Sequence, residues 1–343
     1  MNVTRPFAIV FGLLLVVPIP GQTAEPRSRH DTMKDFVRPA SIPFPTDNVY
    51  EEQKAHLGQM LFFDPRLSGS NSIACASCHN PALSWGDGLP RGIGEGTRAL
   101  GRRTPTILNL AWANLVMWDG RKTGLEDQVF GPITTPAEMN FSIAGAVGQI
   151  GAINAYQAAF MRVFGDEGVS ARTIPLAIAT YERTIVSGTA PFDRWIAGDE
   201  AAISDESKFG FDVFTGKGNC AACHSGWNFT DNGFHDIGLK GQDIGRGEWI
   251  KIEGMQHAFK TPTLRDADRR GPYMHDGSVA TLSAVIDEYD RGGIARPSLA
   301  EEIRPLHLTS IEKQQLLAFL GTLTGENSPV ILPVLPNPSI VSR

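Results

Sequence analysis

The four cysteines of this 343-residue chain occur only within "CASCH" and "CAACH". Each pair is followed directly by histidine, giving Cys75, Cys78 and His79, then Cys220, Cys223 and His224. Two thiols at that spacing reach the two vinyl groups of one porphyrin, and the adjacent histidine swings beneath the ring to ligate iron. The motifs therefore predict two covalently bound haem c groups, with His79 and His224 as iron ligands. Disulfides, a zinc site and a thioredoxin-like redox pair are the competing chemistries. Zinc would need the two pairs to cooperate over a shorter separation, and a redox pair needs no histidine behind both cysteine pairs.

A second group of ligand-type residues lies in "GPYMHDGSVATLSAVIDEYDRGG", which offers Met274, His275 and Tyr289. After Thr281, a good N-cap, Leu282, Val285, Ile286 and Tyr289 recur at helical spacing, so Tyr289 shares the inward face. On residue type alone the favoured reading of Tyr289 is a core aromatic with a wet hydroxyl. Met274, in the loop before this helix, reads either as a thioether ligand or as packing against a haem edge.

Longer stretches add a family. "RTPTILNLAW", "MWDGRKTGLEDQVFGPITTPAEMN", "FKTPTLRDADRRGPYMHDGSVATL" and "IRPLHLTSIEKQQLLAFL", together with the two CxxCH sites, resemble the bacterial di-haem cytochrome c peroxidases and their MauG-type relatives. The resemblance covers nearly all of the mature chain. It implies that the position binding the C-terminal haem on its open face, methionine in the peroxidases and tyrosine in the MauG class, is Tyr289 here. A phenolate oxygen favours ferric and higher states, whereas a thioether favours ferrous iron. The resemblance also makes the N-terminal haem the peroxide-reactive one, with Gln128, Pro132 and Glu138 in its distal pocket and Trp118 between the haems. Without it, Glu138 and Gln128 read as solvated surface residues and Trp118 as a core aromatic or an N–H donor to a buried carbonyl.

Several positions depart from relatives of one kind or the other. Conventional peroxidases cap the first haem with a histidine where Glu95 stands here, and no histidine lies between His79 and the second attachment site. The resemblance then implies a first haem open without reductive activation. The tryptophan through which MauG draws electrons from its protein substrate is matched by Gly218. The family's inter-domain calcium site falls on Arg103 and on the backbone oxygen of Arg270, and two cations there would repel calcium.

Positioning these groups requires a mainly α fold of two tandem cytochrome-c-like haem domains. Amphipathic segments precede each site, with Leu57, Met60 and Leu61 ahead of the first and "KFGFDVF" ahead of the second. "TIPLAIATYERTIVSG" predicts a helix stopped near Gly188, and Thr309 with Glu312 has the spacing of a capping box. The expected division is an export signal over 1–24, an N-terminal peroxidatic domain over 25–200 and a C-terminal electron-transfer domain over 201–343. "GTAPFDRWIAGDEAAISDES" is expected to be the linker, with Ser204 or Asp205 capping the next helix. Arg5, the apolar run after it and Ala24 predict secretion to the periplasm, with no membrane span once the signal is cleaved. A formal charge of −6 argues against a nucleic-acid partner. The partners implied are hydrogen peroxide and a small c-type cytochrome or copper protein, with a protein substrate or a homodimer as further options. A plain di-haem electron carrier is the reading from a different class.

Overall fold

The computed structural model describes residues 28–337, so the expected signal over 1–24 lies outside the described residues. The architecture is mainly helical, as expected. Its only ladders among the described residues are two antiparallel ribbons, Ile93–Gly94 with Arg98–Ala99 and Phe234–His235 with Phe259–Lys260. No described helix is long and apolar enough to cross a membrane.

The first core forms where the Glu52–Phe62 helix crosses the Thr173–Arg183 helix. Leu57, Leu61 and Phe62 on one side and Ile174, Ala177 and Ile178 on the other are at most 1% exposed. The crossing is close because of Gly58, where a Cβ would stand 1.9 Å from the Ala177 carbonyl oxygen. A mid-helix glycine costs up to about 1 kcal/mol in propensity, which the tighter apolar contact offsets.

The second core repeats the device. The Asp205–Thr215 helix crosses the Ser310–Gly321 helix at Gly210, where a Cβ would stand 2.0 Å from the Gln315 carbonyl oxygen. Both helices begin on the expected caps. Ser204 Oγ accepts from the Ser207 amide at 3.2 Å. Thr309 and Glu312 exchange reciprocal bonds of 3.2 and 2.7 Å. Phe192, Trp195, Phe211, Phe214, Phe229 and Phe319 fill the space beneath, each at most 2% exposed. Their rings meet at edges and tilts, as Trp195 and Phe211 do at 5.5 Å and 81°.

Two local expectations need correction. Part of the stretch read as a linker is core: Pro191–Ile196 is helical, and Asp193 is ion-paired to the fully buried Arg265 at 2.8 Å. Its glycine and acidic content resembles a linker, yet Phe192 and Trp195, three apart, put one apolar face inward. The Thr173–Arg183 helix also ends before Gly188. That glycine serves a different need, since a Cβ there would stand 2.2 Å from the Glu326 carbonyl oxygen.

Candidate haem sites

One cavity of about 700 Å³ runs between the two units, and both attachment motifs line it. In each motif the histidine amide closes back on the first cysteine, His79 to Cys75 at 2.9 Å and His224 to Cys220 at 2.8 Å. Each imidazole then uses Nδ1 on a backbone carbonyl, Trp85 at 3.2 Å and Phe229 at 3.0 Å. A donor role for Nδ1–H fixes the tautomer and leaves the Nε2 lone pair for a metal. Burial holds both imidazoles below their ordinary pKa, in the neutral form that metal ligation requires. Burial also pushes Cys78 up to about 11 and raises Cys75 and Cys220, and no disulfide joins any of the four. The motif residues and the cavity therefore fit two haems.

The walls of the cavity are built twice from matching segments. "TPTILN" and "TPTLRD" each hold a threonine hydroxyl on a carbonyl at 2.7 Å, Thr106 on Ser84 and Thr263 on Asn228. Each ends on a left-handed residue, Asn109 (φ 62°) or Asp266 (φ 55°). "MWDG" and "MHDG" follow, with Met117 and Met274 at φ 74° and 68°, and Gly120 and Gly277 at 65° and 66°. The copies also grip each other: the Arg103 amide donates to the His275 carbonyl and the Lys260 amide to the Trp118 carbonyl, both at 2.8 Å. Trp118 and His275 are thus counterparts, as are Arg103 and Lys260.

That correspondence aligns the helices behind the loops. Leu125 begins a helix eight residues after Met117, and Leu282 begins one eight residues after Met274. Fifteen residues after the same methionines stand Pro132 and Tyr289, both lining the cavity. Where the second unit presents a phenol oxygen, the first presents a ring with no donor atom. Burial, with Cys220 and Cys223 nearby, raises the Tyr289 phenol above its ordinary pKa.

Comparison with known proteins agrees with this geometry. Residues 52–201 match the family described as di-haem cytochrome c peroxidase. The methylamine utilization protein MauG of Methylorubrum extorquens is 52% identical over 305 residues, covering 88% of this chain and 86% of that one. The chain belongs to the di-haem cytochrome c peroxidase and MauG family. This is a family of oxidoreductases with two haem cofactors. Cytochrome c551 peroxidase of Nitrosomonas europaea is 34% identical over 288 residues, covering 82% of this chain and 83% of that protein. Among solved structures, a MauG-like protein associated with microbial copper homeostasis superposes with a TM-score of 0.78 at 32% identity, covering 84% of this chain and 95% of that one.

The remaining residues singled out in this di-haem family member fall as follows. Gln128 and Glu138 line the cavity with Pro132. The Gln128 amide makes one long contact, 3.8 Å to Met117 Sδ, and so keeps donor capacity. Burial raises the Glu138 carboxyl above its ordinary pKa, opposed by Arg121. Its backbone is clamped by the Glu95 amide at 2.8 Å, and a Cβ on Gly94 would stand 2.0 Å from the Ala137 carbonyl oxygen. The Glu95 carboxylate accepts from Ser70 Oγ at 2.8 Å and is absent from the cavity lining. Trp118 donates Nε1–H to the Arg103 carbonyl at 2.8 Å. Met274 and His275 line the cavity too, and the His275 ring stacks on Phe259 at 3.6 Å. Cys220 lies outside the lining, with its thiol on the Gly218 carbonyl at 3.4 Å.

One lining residue went unread in the sequence. Glu182 is 5% exposed, its Oε2 has no hydrogen-bond partner among the described residues, and burial pushes its carboxyl up to about 8. A signal was present: Ile174, Ile178 and Glu182 form one stripe at spacing four, so an acid continues an apolar row.

Proposed function

We propose that this protein is a periplasmic di-haem peroxidase of the MauG-like branch that reduces hydrogen peroxide at the His79 haem. The observation carrying this reading is the pairing of Pro132, in the short Phe130–Thr134 helix, with Tyr289, in the Leu282–Arg291 helix, at the same fifteen-residue interval from Met117 and Met274. Pro132 would leave a bound His79 haem without a protein donor on that side, whereas Tyr289 would offer its phenol oxygen to the His224 haem. Thioethers from Cys75, Cys78, Cys220 and Cys223 would hold the two haems, with His79, His224 and Tyr289 as protein ligands. When bound, the haems supply the electron transfer and the splitting of the O–O bond.

The chain's own residues do the rest. Glu138, whose carboxyl burial raises above its ordinary pKa, takes the proton from the near peroxide oxygen and returns it to the far one, so that water leaves. Gln128 donates an amide hydrogen bond to the bound peroxide. Pro132 crowds the open face without offering a lone pair. Trp118, anchored on Arg103, stands between the units and passes oxidising equivalents toward the Tyr289 side. A small c-type cytochrome or a copper protein returns the electrons. Along the chain the two haem domains are taken as 25–200 and 201–343, with Phe36, Phe192 and Trp195 of the first segment packed into the second core.

Calcium does not fit between them. The Arg103 guanidinium donates to the Arg270 carbonyl, so a cation already holds that oxygen, and Arg270 brings a second charge.

A second reading, a protein-modifying oxidase, is favoured by the 52% identity to methylamine utilization protein MauG. Against the same entry route stands Gly218, where a Cβ would lie 2.8 Å from the Val213 carbonyl oxygen. Electron paramagnetic resonance of the ferric protein tests the main reading, with one high-spin and one low-spin iron expected. Tyr289→Phe should change the low-spin signal, and an unchanged one overturns the assignment. A rapid haem spectral change on adding peroxide separates an enzyme from a carrier.

A further inference from the structure

Arg103 and Arg270 meet at the junction of the two units, 6% and 7% exposed, and both line the cavity. Neighbouring arginines there are balanced: Arg102 holds Asp119 and Asp243, and Arg265 holds Asp193. Neither Arg103 nor Arg270 has a carboxylate within ion-pair reach among the described residues. Arg270 spends its donors on carbonyls, Thr263 at 2.5 Å and Asp266 at 3.3 Å. Arg103 gives one donor to the Arg270 carbonyl, and its Nε has no partner among the described residues.

Two guanidinium groups do not lose their protons at working pH, so this is a buried pair of like charges. Burial lowers both, and the Arg103 charge adds to the fall of Arg270 to about 10, against the more distant Asp266 and Asp268. Buried charges persist in proteins when an anion compensates them. The duplicated architecture sharpens the point. Lys260, the counterpart of Arg103, has the Asn232 side chain at 2.7 Å, and the position matching Arg270, four residues before the methionine, is Ala113. Lys260 too is without a carboxylate in ion-pair reach among the described residues, but it stands alone, so the pair of like charges sits on one side of the pseudo-dyad only.

We propose that Arg103 and Arg270 form a two-guanidinium receptor for haem propionate carboxylates, so that haem loading supplies the counter-charge that joins the units. Guanidinium forks suit this because they bind carboxylates through paired N–H donors. The inference rests on the two-haem loading of the reading above, but not on which haem reacts with peroxide.

The test compares Arg103→Gln and Arg270→Gln with the matching lysine variants in the fully loaded protein. Haem content is measured by pyridine haemochrome, propionate bonding by the propionate bending bands in resonance Raman, and midpoint potentials by spectroelectrochemistry. Glutamine variants retaining both haems should shift a propionate band and lower a midpoint potential, and lysine should restore the potential by keeping the charge. Wild-type bands and potentials in loaded glutamine variants would overturn the proposal. Should those variants fail to load, the lysine variants decide: a shifted band at unchanged potential supports the receptor, and an unshifted band refutes it. The peroxide reaction is read in the same samples, so its absence beside shifted bands sinks the catalytic reading alone.

Discussion

Replacing Glu182 with glutamine should remove a pH-dependent loss of stability of predictable size. Burial raises this carboxyl from 4.5 to about 8, Glu126 reinforces the shift, and the opposing cation of Arg183 is committed to Glu126 at 2.6 Å. The folded protein thus keeps a proton that the unfolded chain releases. Folding is unaffected by this group below the unfolded value, loses stability as pH rises through the interval between the two values, and levels off above the folded one. One pKa unit is about 1.4 kcal/mol, so the loss is about 2 to 3 kcal/mol between about pH 5 and pH 7, and about 5 kcal/mol in all. Urea unfolding of the loaded wild-type protein and Glu182→Gln, followed by circular dichroism across that range, isolates the effect because all other titrations are shared. The variant's advantage should grow with pH by the stated amount. A difference between the two proteins that stays constant with pH would refute the reasoning and leave Glu182 ionised or compensated in the folded state.

Three further outcomes are expected. Glu138→Gln should slow the peroxide reaction about 10²- to 10⁴-fold in stopped-flow mixing; in the wild type the rate should fall as pH drops through a value above the ordinary carboxylate one, and that limb should vanish in the variant. Pro132→His places a donor where the second unit carries Tyr289, so the high-spin ferric signal should convert to low-spin and peroxide reactivity should be lost. Gly58→Ala and Gly210→Ala force a methyl to within about 2 Å of a backbone oxygen in each helix crossing, so each should cost about 1–3 kcal/mol in chemical denaturation.

How legible these features were depends on whether the chemistry is contiguous in the chain. Thioether attachment needs its cysteines and histidine side by side, so Cys75, Cys78, His79 and their second copy stand out in the sequence. Helix caps are equally local, and Ser204, Thr281 and Thr309 all accept the amide bonds expected of them. Gln128 and Glu138 carry no local signature and came from family resemblance. Phe192 and Trp195 were hidden by the glycine and acidic residues around them, although burial depends on one face and not on average composition. The repeat linking Pro132 to Tyr289 is written in the sequence as equal intervals from "MWDG" and "MHDG". It became visible only through the mirrored bonds of Arg103 to His275 and Lys260 to Trp118, because unequal insertions elsewhere mask the duplication.

Phe36 stands ahead of the first attachment motif, yet it is 2% exposed among Phe192, Phe211 and Phe229, and Arg29 nearby reaches Asp212 at 2.7 Å. The described chain therefore opens by tucking itself beneath its own far half. A fragment carrying only the later motif, cut at residue 201, would leave behind Phe36, Phe192 and Trp195 and expose a greasy socket. Anyone wanting a single-haem version of this protein must graft that leading strap back on, because the halves are braided and do not come apart like beads on a string.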